Sequence, residues 1–161
     1  MLKRLMQGAA AGAAGATALN AATYVDMVLR ARPSSSTPEQ VAEKLSQRAG
    51  VEIPGEAEER QNRLQGLGAL SGLATGVVIG ALAGELRFAV LRLGPVLGAI
   101  LLGGAAMAAT DGAMTWLSVS DPSGWDAAAW ASDAVPHLAF GAVTYGSLAA
   151  MSRRGQVRIP R

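Results

Sequence analysis

The chain has 161 residues, half of them apolar, with 16 % charged, no cysteine and a net charge of +2. Soluble domains carry nearer a quarter of charged residues, so this composition favours a membrane class. The missing cysteines exclude disulfides, thiolate metal sites and cysteine nucleophiles, and the basic residues sit in short clusters that form no continuous stripe for nucleic acid.

Residues 5–29 follow Lys3 and Arg4 and are small and apolar, with Gly8, Gly12 and Ala16 four apart. Their length suits a spanning helix, which needs about 20 residues. The rival reading is a cleavable signal cut near Ala16-Thr17-Ala18. Apolar character continues through Ala22, Val25, Val28 and Leu29, beyond where a signal core stops, so the segment is expected to stay.

Residues 30–63 are the one extended polar segment, with six basic side chains against six glutamates, the balance of a solvated face. After the Arg32-Pro33 break, Thr37 reads as an N-cap, Pro38 as the first helical residue and Gln40 as the closing member of a capping box. Val41 and Leu45, with Ala42 and Ala49, form a narrow apolar stripe that Gly50 terminates. This short amphipathic helix is expected on the membrane surface or over the bundle mouth. Val51 to Gly55 reads as a turn, and Glu56, Glu58 and Glu59 suit the positive end of the next helix.

That helix is the second span, 64–86, in which Gly68, Gly72, Gly76, Gly80 and Gly84 recur every four residues and no charge occurs from Leu64 to Gly84. Residues four apart share a helix face. In water each such glycine destabilises a helix by about 1 kcal/mol relative to alanine. In a bilayer unpaired backbone is costlier still, and small residues let a second helix approach, so these five glycines are expected to be helix-packing positions. Glu85, Arg87 and Arg92 mark a connector around Phe88. A third span is expected over 93–117, with Gly94 and Gly98 four apart and Gly103-Gly104 at mid-depth. The loop from Ser118 to Asp133 carries Asp121, Asp126 and Asp133 without lysine or arginine, turns at Asp121-Pro122-Ser123-Gly124, and is bracketed by Trp116, Trp125 and Trp130. Such rings favour a membrane–water interface. The fourth span, 132–151, precedes a basic tail, 152–161, with Arg153, Arg154, Arg158 and Arg161.

The expected fold is therefore all-α: one polytopic membrane domain over 1–161, built as a four-transmembrane-helix bundle with the short amphipathic helix between spans 1 and 2. Lys3, Arg4, Arg87, Arg92 and the tail arginines place both termini in the cytoplasm of a multi-pass plasma-membrane protein, with 30–63 outside. The six basic residues of 30–63 run against that orientation.

Motifs of catalysis are sparse. Gly66-Leu67-Gly68 lacks the strand and spacing of a nucleotide loop, and no Walker loop, zinc-protease helix or serine elbow occurs. One histidine excludes a multi-histidine metal site, and carboxylates alone suit transition metals poorly. No enzyme activity, metal or cofactor is expected. Ser132-Asp133-Ala134-Val135-Pro136-His137-Leu138 leads a last span that ends in Arg153-Arg154. With Lys3-Arg4 before the first span, the Arg-Pro-Ser break after it and Gly84-Glu85 before a basic connector, the chain resembles the YagU-like bacterial inner-membrane proteins, a domain family of unknown function. The resemblance implies a multi-span inner-membrane protein with no settled molecular activity.

The leading expectation is a non-enzymatic protein that packs through its glycine faces, as a homo-oligomer or an accessory subunit of a membrane-protein partner, with the bilayer as its medium and no nucleic acid. The alternative is a small proton-linked transporter or channel, motivated by Asn20, Asp26, Thr75, Asp111, Thr115 and His137 within the spans. Recruitment to the membrane surface by the tail arginines is a third reading, against their plain use as a topology anchor. Asp111 falls in the outer half of the third span, where an unpaired carboxylate costs at least about 2.5 kcal/mol, so it is expected to face the bundle. His137 enters the fourth span at a similar depth, with Asp133 one turn above it. The expected polar cluster is Asn20, Asp26, Asp111, Asp133 and His137, centred on an Asp111–His137 contact made directly or through one water. It reads either as a structural hydrogen bond or as a pH-sensing site.

Overall fold

Alanine and leucine between the glycines keep the backbone helical. A computed structural model describes residues 1–154, and all regular structure in them is helical. In chain order the helices are α1 (Leu2–Arg30), α2 (Thr37–Arg48), α3 (Ala57–Glu85), α4 (Arg87–Arg92), α5 (Gly94–Trp116) and α6 (Ala127–Arg154). A single 3-10 turn, Pro122–Gly124, lies between α5 and α6. The tail positions Arg158 and Arg161 lie outside the described residues.

Helix α3 begins where the acids were expected to start it, at Ala57 with Glu58 and Glu59 in its first turn where the dipole favours acids, and it runs on into the 64–86 span. Other boundaries differ from expectation, each for a local reason. Helix α6 begins at Ala127 because Asp126 caps it: the Asp126 carboxylate accepts from the Ala129 amide at 2.7 Å. In α2 the cap is Ser36 and Thr37 is already helical, so the capping pattern is shifted by one residue. Gln40 reaches back to the Ser36 hydroxyl at 2.9 Å, and Ser35 Oγ accepts from the Thr37 amide. Gly50 ends α2 as expected, at φ 66°, with its amide on the Gln47 carbonyl and the Val51 amide on that of Ser46. Helices α3, α4 and α5 follow with single-residue breaks, the second closed by Gly94 at φ 78° ahead of Pro95.

Helix α1 lies between α3 and α6, and α6 lies between α1 and α5; α3 and α5 meet less extensively. The α1–α3 crossing is backbone on backbone. A methyl group at Gly80 would stand 2.5 Å from the Gly12 Cα, and one at Gly8 would stand 2.8 Å from the Gly84 Cα. Gly76 continues the seam against Ala16. Gly68 instead meets α2, where a methyl would stand 2.9 Å from Pro38 Cβ. Gly72 departs from the expected pattern: it falls between the reach of Ala16 and that of Pro38 and faces open space. At the centre the fully buried Phe140 of α6 wedges its ring between Gly15 of α1 and Gly76 of α3. The α5–α6 crossing repeats the device, with Gly141 against the Gly103 amide and Gly103 against the His137 carbonyl.

Helix α2 runs beside the first turns of α3, tied by an Arg60–Glu43 pair at 2.6 Å. Its far end reaches α5, where Arg48 stacks 4.1 Å from the Trp116 ring centroid and donates to the Trp116 carbonyl.

Two helices, α3 and α5, are long and apolar enough to cross a membrane, and only 22 % of the most apolar window of each is buried. Leu70, Leu73, Val78 and Leu82 of α3 and Val96, Leu97, Ile100 and Leu101 of α5 are exposed. Four long helices are present among the described residues where four spans were expected, but only two of them meet both the length and the apolarity of a span. Helices α1 and α6 are flanked by long helices on two sides, and their sequences are diluted by alanine, glycine and polar residues.

Candidate functional site

The candidate site is set by α6, where Pro136 lacks an amide hydrogen and His137 follows it into the bundle. His137 is buried. Its Nδ1 lies 2.8 Å from the Asp133 carbonyl oxygen and 3.3 Å from Asp133 Oδ1, one turn back on the same helix. A carbonyl only accepts, so Nδ1 carries the proton. The other ring nitrogen, Nε2, lies 3.3 Å from Thr110 Oγ1 on α5. That hydroxyl also lies within bonding distance of the Met107 and Ala106 carbonyls, at 3.0 and 3.2 Å.

Two hydrogen-bond patterns fit this geometry. With a neutral ring, the Thr110 hydroxyl turns toward Nε2 and donates to it. With a charged ring, Nε2 donates to Thr110, and the hydroxyl proton goes to a backbone carbonyl of its own helix. One rotatable hydroxyl therefore follows the charge of the ring, and either pattern ties α5 to α6.

The direct contact from α5 to His137 is made by Thr110 and not by the expected Asp111. Asp111 is next in sequence to Thr110, 100° further round α5, and its Oδ1 is buried without a hydrogen-bond partner. It lies within electrostatic reach of both Asp133 and His137. Asp133 Oδ2 is likewise buried and unpartnered. Asp111, Asp133 and His137 thus gather in one region, while two other expected members do not. Asn20 is exposed on α1. Asp26 is held by Arg30 and Arg32, with Arg32 Nε at 2.5 Å, because the chain end of α1 supplies two guanidiniums at close range. Arg30 also donates to Ser132 of α6, linking the Asp26 ion pair to the residue before Asp133.

Thr110 was missed by reading side-chain charge alone. The signal lay in helical spacing: Gly103, Ala106, Thr110 and Met114 follow one another at three or four residues and form the inward face of α5. Among the described residues no three His, Asp or Glu side chains are grouped to hold a metal ion. The Thr75 hydroxyl donates to the Ser71 carbonyl of its own helix and joins no polar chain to the site. No family model, curated protein or solved structure matches this chain.

Proposed function

We propose that the chain is a non-enzymatic, four-span protein of the bacterial plasma membrane, in which glycine crossings hold the helices together and the Asp133–His137–Thr110 cluster clamps α6 to α5. The observation that carries this reading is the belt of exposed large apolar side chains, which extends to Val25, Val28 and Leu29 of α1 and to Val135, Leu138 and Val143 of α6. In water such a surface is an aggregation liability, whereas in a bilayer it faces its own solvent. The two less apolar helices enter the membrane as packed partners of α3 and α5. Kinship with the YagU-like inner-membrane proteins belongs to this reading and rests on the Asp133-to-His137 motif.

Most glycines of α1 and α3 are used within one chain, Gly72 being an exception, so a homo-oligomer or accessory role falls mainly to other faces. Gly104, Ala108 and Gly112 on α5, and Ala142, Gly146 and Ala150 on α6, stay exposed at four-residue spacing. Alkaline carbonate extraction of native membranes, followed by native mass spectrometry in mild detergent, tests both parts. The expected result is a chain of intact mass retained in the membrane pellet. Release into the carbonate supernatant sinks the membrane reading, and a monomer at every concentration sinks the homo-oligomer.

The second reading, a proton-linked transporter, is favoured by the unpartnered oxygens of Asp111 and Asp133 beside His137. Exposure of Asn20 and the self-satisfied Thr75 hydroxyl argue against a path through one chain. Proton flux into proteoliposomes that an Asp111→Asn variant abolishes would favour transport over the clamp.

A further inference from the structure

The bundle end that carries the first turn of α1, helix α4 and the last turns of α6 has a feature the clamp does not use. A cleft of about 340 Å³ opens there, walled by Lys3, Arg4 and Gln7 of α1, Arg87 and Phe88 of α4, and Ser152 of α6. Its volume lies within the range of small-molecule sites, about 300–1,000 Å³. Among the described residues no carboxylate lines it. The guanidinium carbons of Arg4 and Arg87 both stand over the Phe88 ring, 5.3 and 5.0 Å from its centroid. Neither arginine, nor Lys3, forms an ion pair among the described residues.

Three cations thus converge without an ion-pair partner among the described residues, and two of them are arginines brought to one ring from separate helices. Guanidinium forks match phosphate oxygens bidentately, and the ring between them offers an apolar floor. Phe88, Met6 and Leu86 are all more than half exposed, so the polar wall borders surface suited to acyl chains. We propose that this cleft binds the phosphate of an anionic phospholipid headgroup, held between Arg4 and Arg87 with Lys3 as a third charge. The proposal rests on the membrane reading above. It differs from a general basic surface in requiring two particular arginines.

The full chain, purified in mild detergent, would be offered phosphatidylglycerol and phosphatidylcholine in equal amounts, and bound lipid counted by native mass spectrometry. Preferential retention of phosphatidylglycerol is expected. Each arginine near an anionic lipid contributes about fivefold, so an Arg4→Gln/Arg87→Gln variant should bind about thirtyfold more weakly. Arg92→Gln, on α4 but outside the cleft, should change binding less than twofold. An Arg4→Lys/Arg87→Lys variant keeps the charge that orients the chain and loses the forks, and should fall between wild type and the double glutamine variant.

Equal retention of the two lipids overturns the proposal, as does an Arg92→Gln loss equal to that of Arg4→Gln. Inorganic phosphate should fail to displace phosphatidylglycerol; displacement at millimolar phosphate would make the site one for the free anion and overturn the lipid assignment. Recovery of the chain in the aqueous phase without detergent sinks the membrane reading and this site together. Firm membrane retention without lipid preference sinks the site alone.

Discussion

His137 is the only histidine in the chain, so its ring can be observed without assignment ambiguity. Nitrogen-15 NMR of histidine-labelled protein should show a protonated Nδ1; a proton on Nε2 alone would contradict the bond to the Asp133 carbonyl. His137→Gln removes the link from α6 to Thr110 and should lower stability by about 1–3 kcal/mol in thermal unfolding in detergent. Asp111→Asn should do the opposite and raise it by about 1 kcal/mol, because an unpartnered buried carboxylate oxygen gives way to a neutral amide. A loss on Asp111→Asn would mean that the carboxylate has a partner, such as a bridging water. Outside the helices, Ser118 closes α5 in the left-handed region at φ 56°, with the Val119 amide on the Met114 carbonyl. Ser118→Gly keeps that closure without the Cβ strain and should gain about 0.5–1 kcal/mol. In the next turn the hydroxyl and amide of Ser123 hold the Asp121 carboxyl below the usual carboxylate range. Its stabilising effect is therefore present above the ordinary carboxylate pKa and is lost as pH falls through the depressed value. Asp121→Asn should abolish that acid-side dependence, which a pH series of loop chemical shifts would read.

At the scale of the helix, two glycines of one four-residue series separate packing from composition. Gly80 and Gly72 look alike in the sequence, yet a methyl at Gly80 meets α1 backbone and one at Gly72 meets nothing within 4 Å. Gly80→Ala must push α1 and α3 apart and should destabilise by about 1–3 kcal/mol. Gly72→Ala should be neutral or stabilising by up to about 1 kcal/mol, through helix propensity alone. Thermal unfolding of the two variants in one detergent compares them directly, and equal effects would mean that the α1–α3 crossing is not as close as described. Gly103→Ala tests the second crossing, where the new methyl would stand 2.6 Å from the His137 carbonyl oxygen. It should shift the His137 ring signal as well as stability, because the same crossing positions the clamp.

For the whole molecule, the natural absence of cysteine makes topology directly testable. Single cysteines at Lys44 and Ser123 should react with an impermeant maleimide on intact cells, and one at Arg92 only after permeabilisation. Labelling of all three from outside would contradict four spans with both termini inside. The distribution of apolarity follows the packing of the helices: α3 and α5, with one long-helix neighbour in extensive contact each, are the most apolar, and α1 and α6, with two, tolerate more polar residues.

Helix content, the positions of the long helices and the small-residue faces were legible in the chain because they depend on local propensity and four-residue spacing, which neighbouring residues determine. The acidic start of α3 was also legible, whereas that of α6 was not, because Asp126 was read as loop when it is a cap. Partner choice was not. Whether Gly72 or Gly80 meets another helix depends on where α1 and α2 reach α3, and that is set by loop lengths and crossing angles acting across the fold. The same holds for Asp111 and Thr110. Both lie at the right depth, but adjacent residues are rotated 100° about the helix, so depth alone cannot select the one that meets His137. Only the α5–α6 crossing, brought close by Gly103 and Gly141, turns Thr110 toward the ring and leaves Asp111 Oδ1 without a partner.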